Sequence, residues 1–132
     1  MSMQKKKEEE RKPLNDLEVV YYPDKAVRRE MQEVPTAKRD RFNTSLHLMK
    51  KRLKPVCKVK QLYGIDRDVY ELIINGSPAW RLVYYIGDEG KIVVLLATDK
   101  TTEGRDPAIA RTVELRLKAY KEEQRRARAK KR

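Results

Sequence analysis

Residues 69–107, from Val69 to Pro107, read VYELIINGSPAWRLVYYIGDEGKIVVLLATDKTTEGRDP. Three runs dense in Val, Ile, Leu, Tyr and Trp are separated by Asn75-Gly76-Ser77-Pro78 and Gly87-Asp88-Glu89-Gly90, the pattern of strands joined by tight turns. The stretch reads as a three-stranded antiparallel meander. Its middle strand sets Trp80, Leu82, Tyr84 and Ile86 against Ala79, Val83 and Tyr85, so both faces of the sheet are expected to be covered. Arg81 stands between Trp80 and Leu82, where a cation requires a carboxylate partner or a ligand.

Upstream, Leu17 to Tyr22 reads as a strand stopped by Pro23. Asp24 is placed to cap a short helix through Glu33 with Val27, Met31 and Val34 on one stripe, and Pro35 ends it. Thr36 is placed to cap a second helix to about Leu53, with Phe42, Leu46, Met49 and Leu53 facing inward. Residues 54–68 alternate only in part, Val56, Lys58 and Lys60 against Cys57, Val59 and Gln61. They fit either a short strand or a plain connector.

Downstream, Asp106 and Pro107 form a favoured N-cap and N1 pair. They open a last helix with Ile109, Val113, Leu117 and Tyr120 on its apolar stripe. Beyond Glu123 the stripe is lost, and the helix is expected to fray into a basic tail. The order strand-helix-helix-strand-strand-strand-helix predicts an α+β fold, a small, mostly antiparallel sheet with helices packed on it. One domain over residues 14–124 is expected between a disordered charged tail at 1–13 and a basic tail at 125–132.

The net charge is +12 and 39% of residues are charged, against about 25% in ordinary globular chains. Residues 38–60 carry nine Lys or Arg against one acid, and residues 118–132 carry eight against two. Such a surplus favours a polyanionic partner. A single cysteine, Cys57, makes no internal disulfide, and the charged N-terminus lacks a secretory core. No run approaches the roughly 18 apolar residues of a membrane span, so a cytoplasmic protein with no membrane association is expected. No metal-ligand spacing, Ser/His/Asp or Cys/His arrangement or Gly-rich phosphate loop is present, and no metal or cofactor is expected. His47 is the only histidine, set among core-facing leucines of the second helix.

The order of elements, with Ala79-Trp80-Arg81-Leu82-Val83-Tyr84 and the lead-in Gln61-Leu62-Tyr63-Gly64, resembles the RelE/ParE toxin superfamily, most closely its HigB-like, phage-derived Gp49-like branch. The resemblance spans about Asp16 to Lys121. It implies a RelE-like fold whose concave sheet takes mRNA in the ribosome and cleaves it by 2′-hydroxyl attack on the adjacent phosphate, without metal. It further implies inhibition by a cognate antitoxin, such as a helix-turn-helix protein. In that scheme Arg81 stands at the phosphate-stabilising arginine, and Lys100 and Arg105 at further cationic positions of the site. Lys58, Lys60, Tyr63 and Arg67 are the expected RNA contacts.

The chain departs from the pattern at Glu71 and Ile73, where RelE-type enzymes place lysines, and at Thr101 and Thr102 in place of paired lysines. Arg81 therefore also fits a structural role, paired with Glu71 on the adjacent strand or with a carboxylate of the last helix. A non-catalytic or ParE-like binding toxin, or a mobile-element protein that inhibits a host component such as gyrase, is the alternative. An RNA-binding accessory protein, suggested by the tails, is the third.

Overall fold

The computed structural model describes residues 15–100, 104 and 106–131. The expected disordered tail at 1–13 and the candidate Arg105 lie outside them. The elements run β1 (Glu18–Tyr21), α1 (Asp24–Glu33), α2 (Thr36–Lys50), β2 (Lys58–Gln61), β3 (Val69–Ile74), β4 (Ala79–Tyr85), β5 (Lys91–Lys100) and α3 (Pro107–Lys130). The five strands form one mixed sheet in the order β1-β5-β4-β3-β2. β1 joins β5 in parallel, Glu18 opposite Lys91, and the remaining pairs are antiparallel.

The meander forms as expected, with Ile73 opposite Arg81 and Arg81 opposite Thr98. Gly90, at φ +79° in the second turn, supplies the left-handed conformation that a side chain would resist. Residues 54–68 depart from the four-strand expectation, because Lys58–Gln61 adds β2 as a fifth strand beside β3. Its lysines at alternate positions suit an outer strand, where charge discourages pairing with another chain.

Both faces are covered. Val27 and Met31 of α1 and its C-cap Val34, with Phe42 and Leu46 of α2, pack on Leu72, Ile74, Leu82, Tyr84, Ile92 and Val94. On the other face Ile109, Val113, Leu117 and Tyr120 of α3 cover Val69, Val83, Tyr85, Val93 and Leu95. Burial among these side chains pushes the Tyr84 hydroxyl up to about 12.

The helix ends differ from expectation in three places. Asp24 and Thr36 are the first helical residues and do not cap; Pro23 and Pro35 hold the N-cap positions without a side-chain bond. α2 stops at Lys50, and Leu53 is 58% exposed instead of extending the core stripe. Arg52 takes φ +64°, its N–H bonds the Met49 carbonyl, and Leu53 N–H bonds Leu48 O at 2.8 Å, a Schellman termination. α3 continues as helix past Glu123 to Lys130, where the sequence suggested fraying.

β1 spans only the first residues of β5, so the edge of β5 beyond Val94 has no strand beside it. A charged clamp takes its place. Glu30 of α1 accepts from Ala97 N–H at 3.1 Å, and Arg116 of α3 donates to Leu95 O at 2.8 Å. The two side chains bind each other through paired contacts of 3.0 and 2.7 Å, so one bidentate bridge satisfies the strand edge and ties α1 to α3. Among the described residues no helix is long and apolar enough to cross a membrane.

Candidate functional site

Directly opposed residues of paired strands share a face, and the registers build two ranks across the side of the sheet that α3 covers. One rank runs Lys60, Glu71, Val83, Leu96; the next runs Lys58, Ile73, Arg81, Thr98. Lys100, opposite Ala79, lies one rank further along the same face. α3 buries the apolar part of this face, and the polar ranks begin where its first turn ends the cover.

At that boundary lies a hollow of about 180 Å³ lined by Lys60, Gln61, Leu62, Tyr63, Glu71, Lys100, Gly104, Asp106 and Ile109. Lys60 comes from β2 and Lys100 from β5, three strand spacings or about 14 Å across the sheet and two ranks further along it. Asp106 closes one side because its carboxylate is held by the α3 cap, accepting from Ala108 N–H at 2.9 Å and Ile109 N–H at 3.3 Å. Lys100 reaches along the wall and donates to the Gly104 carbonyl. Tyr63 presents its ring at the mouth, 71% exposed.

Glu71 forms the floor. Its Oε1 accepts from Arg81 Nη1 at 3.1 Å, and the Glu71 and Arg81 side chains retain 6% and 16% exposure. The other Glu71 oxygen makes no hydrogen bond among the described residues. Arg81 Nε is buried and likewise without an acceptor among them. The carboxylate and the guanidinium each offset the other's loss of hydration. An N–H left unsatisfied at such a point costs stability unless an acceptor reaches it.

Of the residues singled out in the sequence, Lys60, Tyr63 and Lys100 line the hollow. Arg81 borders it through Glu71. Lys58 shares the face one rank away and is exposed. Arg67 stands apart in the β2–β3 turn with its side chain 91% exposed, and its carbonyl accepts from Gln61 Nε2. His47 is exposed on α2, against the opposite face. Glu71 is the partner the sequence offered Arg81, but its place in the site was not foreseen, since it read there as a missing lysine. The available signal was its two-residue offset from Ile73, which put it on the Arg81 face once the strands were registered.

Among the described residues no group of three His, Cys, Asp or Glu side chains is placed to hold a metal ion. The arrangement is a carboxylate between cations, open on one side and with an aromatic ring at its mouth. A family model described as phage-derived protein Gp49-like matches residues 29–132, which include every residue of the hollow. No curated protein and no solved structure matches the chain. The α+β architecture, with its five-stranded mixed sheet and three helices, is compatible with a RelE-like fold, and the chain belongs to the Gp49-like phage-derived family of the RelE/ParE-like toxin superfamily.

Proposed function

We propose that the protein is the toxin of a toxin-antitoxin pair and acts as a metal-independent endoribonuclease on ribosome-bound mRNA. The observation that carries this reading is the convergence of Lys60, Lys100 and Glu71 on one hollow, with Arg81 held against Glu71. Glu71 accepts the 2′-hydroxyl proton through the oxygen that does not face Arg81. The 2′-oxygen then attacks phosphorus, the bond from phosphorus to the 5′-oxygen breaks, and the products are a 2′,3′-cyclic phosphate and a 5′-hydroxyl. Lys100 supplies the proton to the leaving 5′-oxygen, while Arg81 and Lys60 offset the charge that grows on the phosphoryl oxygens. Tyr63 stacks on a base beside the scissile bond. A cognate antitoxin would act by covering the hollow.

The test is mapping of mRNA 5′ ends after induction of the wild type and of Lys60→Gln, whose exposed side chain makes no ion pair among the described residues. New ends that lose intensity about tenfold or more in Lys60→Gln support the reading. Growth arrest with intact mRNA overturns it. The second reading, a binding toxin acting on a host component such as gyrase, draws on Arg81 being engaged by Glu71 instead of standing open to a ligand. Loss of supercoiling with intact mRNA would select it.

A further inference from the structure

α3 continues well past the core it covers. From Lys121 to Lys131 no side chain is buried. This stretch, KEEQRRARAKK, has six cations, two acids and no apolar residue larger than alanine. It lacks the apolar face that would lay a helix on a lipid surface, and it lacks an aromatic ring on which a base could stack. At 3.6 residues per turn, Arg125, Arg126 and Arg128 spread over about 160° of the helix circumference. Charge distributed in this way suits phosphates lying on two sides of a groove.

The cations are loosely engaged. Arg125 and Arg126 pair with Glu122, and Arg128 lies 3.8 Å from Asp88, with 74%, 74% and 76% of the three side chains exposed. Surface pairs of this kind contribute little and can be exchanged for phosphate. Lys121, Arg125 and Arg128 also border a hollow of about 330 Å³ floored by Tyr85, Gly87 and Tyr120. The cluster stands at the opposite end of α3 from Asp106, about 33 Å away along the helix axis. A short single strand filling the first hollow does not reach it.

We infer that the C-terminal half of α3 is a second contact surface, which grips the phosphate backbone of a double-stranded RNA segment. The choice of RNA over other duplexes rests on the proposed function. The surface itself follows from the charge, exposure and position of the helix.

The experiment uses the full chain, a short RNA hairpin, a DNA hairpin of the same sequence, a single-stranded RNA too short to span both surfaces, and vesicles of anionic phospholipid. Arg125→Gln/Arg126→Gln/Arg128→Gln is expected to weaken hairpin RNA binding at least tenfold. It should also flatten the dependence of log affinity on log salt by about 2 to 3 units, close to one for each phosphate no longer neutralised. Binding of the short strand and the melting temperature stay unchanged, while Lys60→Gln weakens the short strand and spares the hairpin slope. An unchanged hairpin slope in the triple variant overturns the inference. So does tighter binding of the DNA hairpin with the same weakening, or an effect confined to anionic vesicles. Because these are binding measurements, absence of mRNA cleavage in cells would remove the proposed nuclease and leave this surface standing.

Discussion

Arg81 and Glu71 meet at 3.1 Å across β3 and β4, one rank out of register and nearly out of water. Removing one member leaves the other charge buried without compensation. Arg81→Ala is expected to lower stability by about 3 kcal/mol, while Glu71→Leu/Arg81→Met, which removes both charges, should recover most of that loss. Urea midpoints of the two variants provide the comparison. Relief of toxicity by Arg81→Ala alone would thus mix unfolding with impaired chemistry. A double variant that folds yet leaves mRNA intact would separate them.

Arg116 and Glu30 stand in for a strand at the edge of β5. Their side chains are 19% and 23% exposed, so the cost of Arg116→Ala is set at about 2 kcal/mol, below that of a fully buried pair. Amide exchange should accelerate locally at Ala97, whose N–H the Glu30 carboxylate holds. Equal acceleration across the whole sheet would show that the clamp has no local role.

Arg52 carries a left-handed backbone at the end of α2, with φ +64°. Glycine adopts this conformation without the steric penalty of about 1 kcal/mol that a side chain meets. Arg52→Gly should raise the stability by up to that amount, read as a higher denaturation midpoint. A fall would mean that the contact of Arg52 Nε with the Asn15 carbonyl, 3.2 Å away, outweighs the strain.

Asp66 in the β2–β3 turn and Lys121 of α3 are 2.6 Å apart. The hydrogen bond from Lys121 holds the Asp66 carboxyl below its usual 3.8, and the same bond holds the Lys121 ammonium above its usual 10.5. A depressed acid stabilises the fold above its unfolded value and loses that effect as pH falls through the folded value. A raised base stabilises below its unfolded value and loses the effect as pH rises through the folded one. The bridge therefore contributes fully between about pH 4 and 10. Melting curves of Asp66→Asn should converge with those of wild type as the pH falls below 4; a constant offset down to pH 2 would contradict the assignment.

The meander was legible because two signals coincide there, period-two apolar runs and glycine-bearing turns, and Asp106-Pro107 announced its helix for an equally local reason. The end of α2 was not legible. A left-handed arginine leaves no mark in a sequence, and the run from Phe42 to Leu53 looks like one stripe. β2 was half visible, since its lysines alternate as strand residues do but offer no apolar face. For the hollow, the cations could be named from the chain, but their convergence depends on Lys60 facing Glu71, and that required β2 to pair. Arg81 stood out by type and position. Its partner was narrowed to Glu71 only by the register that the Asn75 to Pro78 turn imposes.

β1 finds its place only beside β5, Glu18 opposite Lys91, and the hollow needs Lys60, Glu71, Lys100 and Asp106 together. As the chain leaves the ribosome, its opening strand must wait without a partner until β5 emerges. Such distant pairing is slow to form. A nascent or prematurely ended chain lacking β5 has Lys60, Tyr63 and Glu71 but neither Lys100 nor the Asp106 side of the hollow. Any activity housed there appears only after β5 and the start of α3 have been made, which delays it relative to the translation that produces it.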